Sequence, residues 1–281
     1  MLRKPSEIII NGTSLEELLK DTREIDKIIY EQIIEDVEGK IVEIDIDDIH
    51  YDLSGLDLSY ADLRGMNLRG VDLYSTNLTG ANLSDVDLEK ANLSSANLEN
   101  ADLSGANLDG VDLSCANLEN VNLSNASICV TNLYGTKLSC AKLREANLIH
   151  ADLSNVNLNN ADLSNANVEH VNLECTDLRG ANLRGTNLEY VALEDTDLRN
   201  ADLSEASLEN IDLRKANLKN ANLSCTKLNL VDLRDVDLTA IDLRDADLTN
   251  AFLTETDYYK IWKEIIGEGF DEIYNSINEE S

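Results

Sequence analysis

Between residues 51 and 257 every fifth residue is a large aliphatic, from Leu53 to Leu253. That makes 41 centres in one unbroken frame, all Leu except Ile128 and Val168. The residue two before each centre is usually Ala, Val or Thr, and the one just before it is usually Asp or Asn. Ala61-Asp62-Leu63-Arg64-Gly65 is representative. A period of five suits neither regular structure. On an α-helix it advances the azimuth by about 500°, which spreads the Leu round the whole cylinder. On a straight strand an odd step puts successive Leu on opposite faces. The pattern works only if each unit is a short extended piece followed by a corner. The centre and the residue two before it then point inward, and the other three point outward.

The corner is written two residues after the centre. Nine of the 13 Gly fall there, Gly55 and Gly180 among them, and Asn fills ten more such positions. Both residue types tolerate the positive φ that many tight turns need. Residues 20 apart share character, which closes the coil at four units. Arg64, Ser84, Ser104, Ser124, Arg144, Ser164, Arg184, Ser204, Ser224 and Arg244 form a column of Ser and Arg alone. Inward columns are rich in Ala (Ala61, Ala81, Ala101) or Val (Val71, Val111, Val171).

On these units the chain resembles the pentapeptide-repeat protein family, whose motif is Ala-(Asp/Asn)-Leu-x-x, over Tyr51 to Asp257. The resemblance implies an all-β solenoid, a right-handed quadrilateral β-helix of about ten coils. At the spacing of paired strands it would be a rod on the order of 50 Å long.

The flanking segments leave the frame. In residues 1–50, Ser14-Leu15-Glu16-Glu17 has capping-box spacing, and the apolar residues from Leu15 to Val37 recur at helical spacing. The expectation is a helix over about 14–37, a stop near Gly39 and a strand over Ile41 to Ile49. Residues 258–281 carry Tyr258, Tyr259, Ile261, Trp262, Ile265, Phe270 and Tyr274, a pattern of one or two helices. Open solenoid ends need covering, so 1–50 and 258–281 are assigned as caps around the 51–257 repeat. The aromatic density of the C-terminal cap makes it a candidate homodimer contact, a role such segments often have in the family.

The chain has 54 acidic and 23 basic residues, a net charge of −31. Such an excess argues against direct binding to nucleic acid or anionic membranes, and favours basic partners. No run approaches the roughly 18 apolar residues of a membrane span, and Ile8-Ile9-Ile10 is too short for a signal-peptide core. Five Cys, an odd number, read as reduced thiols. The expected location is the cytoplasm.

No catalytic constellation or cofactor motif stands out, and no cofactor is expected. His150 and His170 fall one coil apart with His50 on the same face, and are read as an exposed ladder rather than a metal site. The Asp/Asn columns are read as turn-bonding or solvated side chains rather than calcium ligands. One strip is exceptional: Cys129, Val130, Ile149, His150, His170 and Tyr190 put apolar and aromatic side chains where the repeat normally has polar ones, with Leu230 two coils beyond. An apolar strip on a polar rod is a candidate partner site. The favoured function is a non-enzymatic interaction scaffold with an unidentified protein partner. The alternative comes from the resemblance. Fluoroquinolone-resistance pentapeptide proteins are similar rods thought to occupy the DNA-binding surface of gyrase. That implies a DNA mimic acting on a type II topoisomerase, DNA gyrase or topoisomerase IV.

Overall fold

The computed structural model describes Ile9, Ile10, Thr13, Ser14, residues 52–234 and 236–254, Tyr259 and Ile261. Parallel bridges join residue n to residue n+20, from Asp52↔Asp72 through to Asp232↔Phe252. Each coil is therefore 20 residues, with one five-residue unit on each of four sides.

Backbone accounting explains why the unit has this composition. Ala61 N–H donates to Leu58 O within the turn (3.1 Å), Asn82 N–H to Ala61 O of the preceding coil (2.8 Å), Leu63 N–H to Asn82 O of the next (2.8 Å) and Gly65 N–H to Ser84 O (2.9 Å). Four of the five amide donors thus find carbonyls. The fifth, on the residue after the centre, is met by a side chain: Ser84 N–H donates to Asn82 Oδ1 at 3.1 Å. The same bond recurs from Ser54 to Asp52 and from Arg244 to Asp242. Asp or Asn before the centre is thus the acceptor that completes the hydrogen bonding of the unit.

These side chains also pair along the rod. Asn122 Nδ2 donates to Asp102 Oδ1 (2.8 Å), Asn182 to Asp162 (2.9 Å) and Asn222 to Asp202 (2.9 Å). Alternation of Asp with Asn keeps like charges off adjacent coils. Where Asp stacks on Asp in the second half, arginine intervenes. Arg179 reaches both Asp177 (2.6 Å) and Asp197 (3.8 Å), and Arg214 reaches both Asp212 (2.5 Å) and Asp232 (3.6 Å). The Arg214 hydrogen bond holds Asp212 down to about 2. Arg179, Arg199 and Arg234 likewise depress Asp177, Asp197 and Asp232.

Leu centres and the residues two before them fill the interior as one continuous core. Seven buried Thr replace Ala or Val there, each with its hydroxyl satisfied. Thr131 and Thr176 donate to Leu108 O and Leu153 O of the preceding coil, and Thr136 donates to Leu133 O in its own turn. The corners adopt φ near +60° whether or not they are Gly, as at Asn100 (59°) and Asn125 (60°). A Cβ on Gly80 would lie 2.6 Å from Tyr60 Cε1, so a larger residue there would push the exposed Tyr60 ring of the preceding coil aside. Among the described corners Lys215 and Ala240 lack positive φ, and Ala240 ends a short 3-10 helix, Leu238–Ala240.

At the N-terminus, β1 (Ile9–Ile10) pairs antiparallel with β2 (Thr13–Ser14), Ile9 opposite Ser14. Ser14, the expected helix cap, has its backbone in this strand pair, an extended conformation that a cap residue also takes. The helix expected from there to residue 37 and the strand over 41–49 lie outside the described residues. At the other end Tyr259 and Ile261 have helical backbone.

Candidate functional site

The last residue of each unit stands at a corner, so residues 130, 150, 170, 190, 210 and 230 share one edge of the rod. On it Val130 is 67% exposed, Tyr190 63% and Leu230 44%. Neighbouring coils hold the rings in register. His150 and His170 stack with centroids 5.1 Å apart and planes 11° apart, and His170 stacks on Tyr190 at 5.7 Å. The parallel rings present their edges to solvent as one aromatic step-ladder. Cys129 and Ile149 sit half-buried beside it. His50 lies outside the described residues.

The edge departs from the best stabilising choices. Val130 takes φ 56°, a left-handed conformation that its branched Cβ disfavours. Ser127 replaces the Asx acceptor of its unit, so Cys129 N–H turns to Asp109 Oδ1 at 2.9 Å. In the next coil Asn147 Oδ1 is buried without a hydrogen-bond partner, under Ile149. Tyr134, on the adjoining side of the Val130 coil and 69% exposed, extends the apolar surface. The sequence reading passed over it. Its signal was an aromatic one residue after a centre, where Ser is common.

Acid flanks the lower half of the ladder. Glu169 and Glu189 follow the centres on one side of the edge, and Glu174 and Glu194 on the other. Glu169 approaches His170 Nε2 at 3.7 Å. Beside Tyr190 the Asp/Asn column is interrupted by Ala192, which leaves a concavity of about 400 Å³ lined by Glu174, Val191, Ala192, Leu193, Arg214 and Lys215 among others. Asn172 bridges Ala192 and Asp212 bridges Asp232, but among the described residues no bridge joins Ala192 to Asp212.

Of the C-terminal candidates, Tyr259 is half-buried, and Ile261 is 7% exposed and packed into the core. Tyr258, Trp262, Ile265, Phe270 and Tyr274 lie outside the described residues. The five cysteines are free, with Cys115, Cys140, Cys175 and Cys225 exposed and Cys129 half-buried.

A coil of four Asx-completed units, repeated along one axis, defines a class of solenoid rods with addressable sides. The family model for pentapeptide repeats matches eight copies over residues 52–89, 91–128, 131–165, 161–200 and 196–235. The chain belongs to the pentapeptide-repeat family. It is 36% identical to HetL, a pentapeptide repeat protein involved in heterocyst differentiation regulation from the cyanobacterium Nostoc sp. strain PCC 7120, with 74% of this chain and 87% of that one covered and a TM-score of 0.50. QnrB1, a plasmid-mediated fluoroquinolone resistance protein, is 19% identical in its full-length form over 78% of this chain and 99% of that one, with a TM-score of 0.30. Rfr23, from the cyanobacterium Cyanothece 51142, is 28% identical over 52% of this chain and 89% of that one, with a TM-score of 0.21. Comparison with curated protein sequences gives no match.

Proposed function

We infer that the chain is a non-enzymatic, cytoplasmic scaffold whose 130–190 edge docks a partner protein. The observation that carries this reading is Val130, two-thirds exposed at an unfavourable φ and aligned with the His150–His170–Tyr190 stack. A corner optimised for stability alone would hold Gly or Asn, and an exposed valine there is better explained by a surface it contacts. Among the described residues the interior is filled by the Leu centres and their neighbours, which supports the non-enzymatic reading. The reading takes the rod to wind right-handed, with residues 1–50 and 258–281 as caps, the latter also a homodimer contact.

A photo-crosslinking amino acid at position 150 of the full chain tests it in the native cell. A discrete cross-linked protein is expected, lost when Tyr190→Asp is added and absent when the crosslinker sits on another side at position 164. Equal yields from 150 and 164 would overturn the docking edge. A second reading, a DNA mimic that binds a type II topoisomerase, draws on acid spread along the whole rod: residues 51–257 carry 34 acidic and 15 basic side chains. It expects the purified protein to inhibit DNA supercoiling by gyrase, or to relieve fluoroquinolone inhibition, with salt weakening the effect. An unchanged supercoiling assay removes it.

A further inference from the structure

Ala192 is a fault in a column that otherwise holds Asp or Asn from Asp52 to Asp232, and it lies beside the aromatic ladder. We propose that the concavity over Ala192 receives a lysine or arginine side chain from a basic segment of the partner protein docked along the 130–190 edge. The proposal rests on the docking edge of the preceding section and says what chemistry that edge recognises.

Three observations converge on a basic segment. At its floor Ala192 puts a methyl group where other units hold Asp or Asn, with the side chains of Val191 and Leu193 turned into the core, and that methyl suits the methylene stem of a long cationic side chain. The charges at the mouth are already spoken for except one. Lys215 pairs with Glu194, and Arg214 pairs with Asp212, whereas Glu174 has no ion pair among the described residues. A guanidinium or ammonium lying across Ala192 ends at that carboxylate. Lastly, Ala192 offers no Oδ1 to the amide after its centre. The Glu194 N–H therefore points at the gap where other units hold Asx, as Glu174 N–H does toward Asn172 Oδ1 at 3.0 Å. A backbone carbonyl of the incoming segment is the acceptor that gap lacks. Glu169 and Glu189 supply further negative charge along the same edge, and Ile149, two coils away, with Val130 and Tyr134, three coils away, offers an apolar landing roughly 10 to 15 Å off at strand spacing. The matching segment is extended, basic at one end and apolar at the other.

Ala192→Asn separates this site from the fold. It restores the consensus acceptor, so its melting midpoint is expected at or above that of the parent, while its carboxamide takes the place over the floor where the incoming side chain would lie. A displayed library of random 12-residue peptides, selected on the full-length protein with Ala192→Asn as counter-target, is expected to enrich sequences with Lys or Arg beside an apolar residue. Synthetic copies should bind the parent at least tenfold more tightly than Ala192→Asn, and several-fold more tightly than Glu174→Gln. Acidic or uncharged consensus sequences, equal binding to Ala192→Asn, or no enrichment would each overturn the proposal. So would an Ala192→Asn variant that melts well below the parent. If the protein cross-linked at position 150 still depends on Tyr190 but ignores Ala192→Asn, the docking edge stands and the pocket assignment falls. Loss of both results removes both.

Discussion

One side of the rod reads Asp62, Asn82, Asp102, Asn122, Lys142, Asp162, Asn182, Asp202, Asn222, Asp242 down its Asx column, with no two carboxylates adjacent. The edge at 130–190 is built by the same backbone yet holds a strained valine, a buried orphan oxygen and an interrupted column. The first region keeps a side-chain acceptor in every unit except that of Lys142, and it spreads charge. The second gives up some of both to expose side chains. Because the two share coils, the difference does not come from distance to the ends.

The contrast predicts separate consequences. The largest belongs to the interior that both regions share. Leu153 is fully buried, so Leu153→Asp should abolish cooperative folding by burying an unpaired charge, and Leu153→Ala should cost about 2–5 kcal/mol in urea denaturation. A wild-type unfolding curve for Leu153→Asp would undo the inward assignment of the centres. On the regular side, Asn182→Ala removes the acceptor for Arg184 N–H and the donor to Asp162. A loss of about 1 kcal/mol is expected, with cross-linking at position 150 unchanged.

At the edge the signs should reverse. Val130→Gly relieves the left-handed valine and should gain up to about 1 kcal/mol while weakening docking. Parallel losses of stability and docking would mean that the valine serves the fold. A smaller effect concerns acid. Asp212 is held at about 2 against an ordinary 3.8. Its pairing with Arg214 therefore stabilises the protein above pH 4, and that contribution fades as pH falls from about 4 through 2. Arg214→Gln should remove the contribution at neutral pH and leave the variant and parent alike below pH 2. The side chains are half-exposed, so solvent screening keeps the difference small. Smallest of all, Ser154→Asp, on an outward position, should stay within about 0.5 kcal/mol of the parent.

Much of this was legible in the residues. The five-residue beat fixes inward and outward positions, and the 20-residue columns fix which side chains stack, so the alignment of His150, His170 and Tyr190 follows from counting. The role of Asp and Asn as turn acceptors was likewise readable from their place beside the centres. What counting missed was relational. Ala192 is a small residue among small residues until the column beside it shows that an acceptor is gone. Most arginines of the second half close onto an Asp two residues earlier, as Arg199 does on Asp197 at 2.5 Å, a pairing that the charge count alone does not show. Tyr134 carries the same signal as Cys129 and Ile149, an apolar side chain just after a centre, but it falls on the adjoining side of the corner.

The 20-residue step has one more consequence. In a coil with four equal sides, five residues are a quarter turn. Deleting one whole unit, such as 156–160, would keep every inward position inward, yet everything downstream would rotate to the next side. His170 and Tyr190 would then leave the edge that carries Val130 and His150. In this molecule the surface is a matter of phase: two features face the same way only while the number of units between them stays a multiple of four. Small insertions that spare the fold can therefore erase a binding edge or assemble a new one.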